Sequence, residues 1–170
     1  MRKLILNLAV SLDGFIEGPN GEIDWCLTDQ DYGMSDFLKK IDCIFIGRKS
    51  YEVLNKTSNN PFLDKYFFVF SNTMSKQGNN IHLLKGGVDE EIRQIKSEKG
   101  KDVWLFGGAS LTTYLLNAKL IDEFQLSVHP VLLGNGKKLW EKIQSKVHLQ
   151  LLKIIPYSTG LVQMHYMPIY

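Results

Sequence analysis

Apolar runs of strand length alternate along the chain with stretches of helical period. Lys3–Val10 is almost continuously apolar, the pattern of a strand covered on both faces, with Asn7 as its one interruption. Residues 13–29 break that pattern with Asp13-Gly14 and Asn20-Gly21 turn signals and predict a long loop, a kind of segment usually kept for function. A short helix is expected over 31–40, a strand over 42–46, a helix near 49–56 and a strand over 66–70 that stops at Ser71-Asn72-Thr73. A short strand at 81–84 precedes an amphipathic helix at about 88–98, with Val88, Ile92 and Ile95 on one face. The strand at 102–106 meets Gly107-Gly108, and a helix then runs to about Ala118. Strands near 122–129, 147–155 and 160–167, with turns between them, predict antiparallel pairing. The pattern predicts one α/β domain over 1–170: a mostly parallel central sheet, helices on both faces, and antiparallel C-terminal edge strands.

In open sheets of this kind ligands gather at the carboxyl ends of the strands, and three such ends share one punctuation. They are Gly47-Arg48-Lys49-Ser50, Ser71-Asn72-Thr73, and Phe106-Gly107-Gly108-Ala109-Ser110-Leu111. A strand that ends in two glycines and opens a helix lets the backbone approach a bulky group and aims unpaired N–H groups at it, a ready anion site. Taken singly, each piece is also compatible with an ordinary turn. Cations at the start of a helix oppose its macrodipole, so Arg48 and Lys49 favour a bound anion. Together the three ends suit a dinucleotide with an additional 2′-phosphate.

A net charge of +2 and the absence of basic runs point away from nucleic acid. Cys26 and Cys43 have neither metal-ligand spacing nor nearby Cys/His partners, so no metal site is expected, and both read as reduced thiols of a cytoplasmic protein. No segment approaches the roughly 20 apolar residues of a membrane span, and the basic N-terminus reads as the start of a first strand. His82, His129, His148 and His165 stand in strand-like contexts with no motif around them.

Several strings occur in order: Ala9-Val10-Ser11-Leu12-Asp13-Gly14, Trp25, Gly47-Arg48-Lys49-Ser50-Tyr51, Trp104 to Leu111, Leu120-Ile121-Asp122-Glu123 and Pro130 to Gly136. On these residues the chain resembles the reductase domain of bacterial riboflavin-biosynthesis deaminase–reductases, of the dihydrofolate reductase fold. The resemblance implies an NADPH-dependent reductase acting on a small pyrimidine- or pterin-like substrate. Ala9 and Val10 would meet the nicotinamide end through their backbone, with Ile16 and Trp25 flanking the cleft. Gly47, Arg48, Lys49 and Ser50 would bind phosphate, Ser71, Asn72 and Thr73 the adenosine 2′-phosphate, and Gly107 to Leu111, preceded by Phe106, the pyrophosphate.

Departures concern the substrate. The sequence has no counterpart of the deaminase domain, and Glu52-Val53-Leu54-Asn55-Lys56 lacks arginines suited to a ribose phosphate. Asp29 and Asp31 stand near the place of a pterin-binding acid, and Lys65 near that of a folate-tail cation. Asp29 is the candidate for anchoring or protonating the substrate, and Asp13 the residue that fixes the loop. The expected reaction is hydride transfer to a C=N-type bond, resembling 5-amino-6-(5-phosphoribosylamino)uracil reductase. Dihydrofolate reductase and a non-catalytic nucleotide-binding protein of the same fold are the alternatives, and the two cations disfavour a flavin. Apolar strands at 122–129 and 147–167 suggest a homodimer.

Overall fold

A computed structural model describes residues 1–56, 61–62, 64–75 and 78–170. Ten strands and four helices follow in the order β1 (Leu4–Ser11), β2 (Phe15–Glu17), α1 (Met34–Lys40), β3 (Ile41–Gly47), α2 (Arg48–Lys56), β4 (Tyr66–Phe70), β5 (Ile81–Leu84), α3 (Asp89–Ser97), β6 (Asp102–Gly107), α4 (Ala109–Asn117), β7 (Glu123–His129), β8 (Lys137–Lys138), β9 (His148–Pro156) and β10 (Val162–Ile169). Eight strands form one sheet in the order β5-β4-β3-β6-β1-β7-β10-β9. All neighbours from β5 to β7 are parallel; β10 runs antiparallel to both β7 and β9.

The continuous apolar run of β1 has a simple cause: its side chains alternate into two cores. Leu4 and Leu6 join Phe45, Leu105 and Phe124 beneath α3 and α4, where Ile92 and Leu115 pack. Ile5 faces the other way, with Ile44, Val69 and Trp104, beneath Phe37 of α1 and Tyr51 of α2. Helices therefore cover both faces of the parallel part. At β9 and β10 this cover ends, and most of β9 is exposed.

Three elements differ from the sequence expectation. Helix α1 starts at Met34 rather than 31, because Gly33 precedes it at φ +77°, outside the right-handed helical region, and Asp31 Oδ1 before it accepts from the Ser35 backbone N–H (3.1 Å) and hydroxyl (2.7 Å). The 13–29 loop contains β2, whose three residues pair with β8 and are too few to show a period. Gly136 makes that pairing possible, since its φ is +141° and a Cβ there would lie 2.2 Å from the Glu17 carbonyl oxygen. Strand β7, expected among the antiparallel edge strands, is interior and pairs in parallel with β1 over Ile5–Ser11. The β1–β7 match places apolar side chains of both strands on the α3/α4 core, while the other edge of β7 keeps the expected antiparallel pairing, with β10.

Polar clamps close the amino-terminal ends of the strands. Buried Lys96 donates to the Leu120 carbonyl (2.9 Å) and pairs with Asp122 (2.6 Å), which also accepts from the Leu4 N–H (2.7 Å). The Ile121-Asp122-Glu123 string is thus scaffold. Glu123 lies 3.7 Å from His165, accepts from Gln125 (2.8 Å) and pairs with Lys3 (3.1 Å). The His165 imidazole, together with Gln125 and Lys3, holds this carboxyl down to about 2, against the opposing effect of burial. A depressed pKa stabilises the fold above the ordinary value of 4.5, and that contribution is lost as pH falls toward 2. Melting temperature measured over this interval should fall more steeply for the wild type than for Glu123→Gln; parallel curves would contradict the assignment.

Candidate functional site

Parallel register brings the strand exits together. Ile46 pairs with Gly107 across β3 and β6, and Gly47 with Phe70 across β3 and β4, so three carboxyl ends finish at one level. Strand β3 passes into α2 with no intervening residue, and only Gly108 separates β6 from α4. A cleft of about 440 Å³ lies between Gly47-Arg48, Ser71-Asn72-Thr73 and Ser110-Leu111. A second lobe of about 240 Å³ continues between Lys49-Ser50, Gly108-Ala109 and Lys137, sharing Gly47, Arg48, Ser110 and Leu111 with the first. The two lobes form one groove across the strand exits.

The groove is rich in donors. No side chain caps α4, and the N–H groups of its first turn, at Ala109, Ser110 and Leu111, have no intrahelical acceptor. Gly108 adopts φ 67°, ψ 143°, and a Cβ there would stand 3.4 Å from the Ser50 hydroxyl. The first turn of α2 contains no acid. Arg48 bonds Glu52 one turn on (2.7 Å), and Lys137 is 3.8 Å from Glu17, a loose pairing that leaves its ammonium turned to the second lobe. Asn72 buttresses the wall by accepting from the Gly86 N–H (3.1 Å), and the Ser71 hydroxyl accepts from the N–H groups of Thr73 (3.2 Å) and Met74 (2.9 Å).

Of the residues singled out in the sequence, Gly47, Arg48, Lys49, Ser50, Ser71, Asn72, Thr73, Gly108, Ala109, Ser110 and Leu111 line this groove. Gly107 ends β6 directly beneath it, at φ +112°. Ala9, Val10, Ile16, Trp25, Phe106 and Asp29 do not line it. Ala9 and Val10 lie in the half of β1 beyond Leu6, where pairing with β6 has stopped and pairing with β7 continues. In that gap the Trp104 indole donates to the Asn7 carbonyl (2.9 Å), and Phe106 packs on Trp104. Ile16 is in β2, and Trp25 meets His129 edge-on, ring centroids 5.3 Å apart.

Asp29 is exposed and accepts from the Tyr32 hydroxyl (2.6 Å). That bond lowers its pKa, which suits an anchoring anion better than a proton donor. Asp13 accepts from Ser11 Oγ (2.6 Å) and from the N–H groups of Leu133 (3.2 Å) and Gly134 (2.7 Å), tying the loop to the segment after β7. Lys65 stands before β4, at the far end of that strand, paired with Asp64 (2.8 Å).

Sequence reasoning missed Lys137 and the wall made by Leu84, Gly86, Val88 and Tyr114. The wall had a signal, since Gly86-Gly87 follows β5 as a third glycine-marked strand exit. Among the described residues no group of His, Cys, Asp and Glu side chains could hold a metal ion.

The RibD C-terminal domain family matches residues 2–163, and the chain belongs to that family. It is 42% identical to the uncharacterized protein YyaP of Bacillus subtilis strain 168, over 97% of this chain and 94% of that protein. A Shewanella sp. PV-4 protein with a provisional riboflavin-biosynthesis name has a solved structure that superposes with TM-score 0.86 at 25% identity, covering 100% of both chains. Dihydrofolate reductase from Enterococcus faecalis, solved with NADP(H), superposes with TM-score 0.71 at 16% identity over 98% of this chain and 96% of that one, and so shares the fold.

Gly108→Ala should destabilise the protein by about 1–3 kcal/mol in urea unfolding, because its backbone angles are costly for any residue with a Cβ. An unchanged midpoint would show that the exit relaxes freely.

Proposed function

We propose that the protein is an NADPH-dependent reductase that transfers hydride to a C=N-type bond of a small pyrimidine- or pterin-like heterocycle. One observation carries this reading: three parallel strand exits meet in a single groove that combines glycine backbone, free helix N–H groups and the cations Arg48, Lys49 and Lys137. Family membership and the shared fold support it.

The residues fit the cofactor. The second lobe, between Gly108-Ala109 and Lys137, would take the pyrophosphate, where missing side chains let oxygen atoms reach the amides of α4. The first lobe, beside Arg48 and the Ser71-Asn72-Thr73 turn, would take the adenosine 2′-phosphate. Bound there, NADPH supplies the hydride. The chain's own part is to hold donor and acceptor in line and to exclude water. The β1 edge at Ala9 and Val10, unpaired toward β6, offers backbone groups to the nicotinamide end, with Ile16, Trp25 and Phe106 about it. Asp29 would anchor the substrate.

The same reading includes a homodimer and a cytoplasmic setting. Edge strand β9 presents nine residues with one free side and a single fixed charge, Lys153, while Leu149, Leu151 and Ile154 are all exposed. Natural edges are blunted by charges or bulges; β9 has only Lys153 and one register irregularity, between Lys153 and Leu151, so a second copy pairing along its exposed apolar side chains is the fitting cover.

Calorimetric titration tests the cofactor assignment. Arg48→Ala should weaken NADPH binding about tenfold or more and NADH binding less, whereas Lys49→Ala, in the lobe assigned to the pyrophosphate, should weaken both alike by about tenfold, the effect of losing one charge-assisted contact. No affinity of the wild type for NADPH would defeat the reading. Sedimentation tests the dimer: Leu151→Lys should shift the protein to monomer, and a monomeric wild type would refute the β9 pairing.

A further inference from the structure

The carboxyl edge of the sheet is electrically divided. Its β3/β4/β6 side carries Arg48, Lys49 and Lys137, whereas residues 4–38, 120–136 and 154–170 contain neither lysine nor arginine. Residues 4–38 alone hold seven carboxylates; Asp36 pairs with Lys39 and Glu17 lies 3.8 Å from Lys137, which leaves Asp13, Glu22, Asp24, Asp29 and Asp31 in no salt bridge among the described residues.

Those three segments meet at one corner. Leu12 N–H donates to the Val131 carbonyl (2.9 Å), and the Tyr32 hydroxyl lies 3.0 Å from the Thr159 hydroxyl. The Gln163 amide donates to the Tyr32 carbonyl (2.7 Å) and to Ser127 Oγ (3.2 Å). Tyr32 holds φ +49°, an uncommon value for a bulky residue, kept by this set of bonds. Of the basic residues next in sequence, Lys3 precedes β1 and Lys39 and Lys40 stand in the last turn of α1, where Lys101 donates to the Lys39 carbonyl, while Lys137 and Lys138 pair with β2 and Lys137 faces the groove.

A second observation marks the corner as a binding place. His129 is 3% exposed, and its Nδ1 lies 3.0 Å from the Ser127 carbonyl. A carbonyl only accepts, so Nδ1 carries the hydrogen; burial keeps the ring neutral, and Nε2 is then a lone-pair acceptor. That atom has no protein partner, and neither has the buried indole N–H of Trp25 beside it. Buried polar atoms left in this state are uncommon and usually serve a ligand.

We infer that the corner bounded by β1, β7, β10 and the Trp25 loop takes a non-phosphorylated, positively charged C=N compound, an iminium, as the hydride acceptor. The inference rests on the reductase reading above. Carboxylates and a lone-pair acceptor favour a cation and repel phosphate. The chemistry also balances. Hydride from the reduced nicotinamide forms a C–H bond at the iminium carbon, the C=N π pair moves onto nitrogen, and the positive charge is discharged with no proton taken from the protein. The corner has no free proton donor to give: the Tyr32 hydroxyl is bound to Asp29, Asp29 is an acceptor, and His129 presents a lone pair.

Binding is measured with the NADP⁺ complex by quenching of Trp25 fluorescence, with Trp25→Phe as the blank. The probes are N-methyl-3,4-dihydroisoquinolinium, a permanent cation, and 5-amino-6-(5-phosphoribosylamino)uracil. The cation should bind at least tenfold more tightly, and Asp29→Asn should weaken it about three- to tenfold by removing one nearby charge, leaving the NADPH dissociation constant from calorimetry unchanged. Equal or tighter binding of the phosphorylated compound, no binding of the cation, or an indifferent Asp29→Asn would overturn the inference. Loss of NADPH binding in the wild type would instead strike the reductase reading itself, so the two failures are distinguishable.

Discussion

Parallel pairing of β4, β3 and β6 is the constraint from which the groove follows. Adjacent parallel strands must leave the sheet in the same direction, and the register here ends them at Phe70, Gly47 and Gly107. Glycine at two of these exits removes side-chain bulk where the lobes join. The helices then start at once, which fixes their unpaired N–H groups at the rim. Three cations added to that rim, with no acid in the first turn of α2, make a field that an anion relieves. Glu52 answers Arg48 from one turn away and Glu17 lies 3.8 Å from Lys137, both pairs partly exposed to solvent and so weak.

The second constraint is the early end of the β1–β6 ladder. Pairing stops at Leu6 and Leu105, although β1 continues to Ser11 beside β7. The divergence separates the cationic exits from the acidic corner while keeping both on one edge. A side chain, Trp104, satisfies the first freed carbonyl, at Asn7. Two regions of opposite charge on either side of a parted ladder can each receive one reactant and hold the pair in line.

Much of this was legible in the sequence because the signals are strong ones. Apolar runs located the strands of the parallel sheet, and glycine-marked exits located the groove. Periodicity could not show β2 and β8, since three residues and two residues carry no period; their pairing depends on Gly136 approaching Glu17, a contact between distant parts of the chain. Lys137 was hidden for the same reason, because only that pairing carries it to the second lobe. Strand β7 was misplaced because its partner is chosen by the cores it shares with β1, 118 positions away in the register Ile5–Glu123. His129 carried no motif at all. Its burial and its empty acceptor exist only in three dimensions.

The two ends of the sheet have different duties, and this bears on how far family resemblance reaches. At the amino-terminal end Lys96, Asp122 and Glu123 are bound to one another or to backbone, fully partnered groups whose work is to hold the strands. Part of the family signature therefore reports the scaffold. The glycine-marked exits form the groove that the proposed cofactor would occupy, and one cofactor can serve many substrates. On the proposed reading the corner of β1, β7 and β10 addresses the hydride acceptor, and residues 4–38, 120–136 and 154–170, which meet there, contain carboxylates, amides and hydroxyls but no lysine or arginine. Phosphate held in such a corner would lose its hydration without gaining a counter-charge, a cost of several kcal/mol for a buried anion. On that proposal the charge of the acceptor, more than its ring system, is what this arrangement would select, and a few positions on the Trp25 loop would suffice to change it.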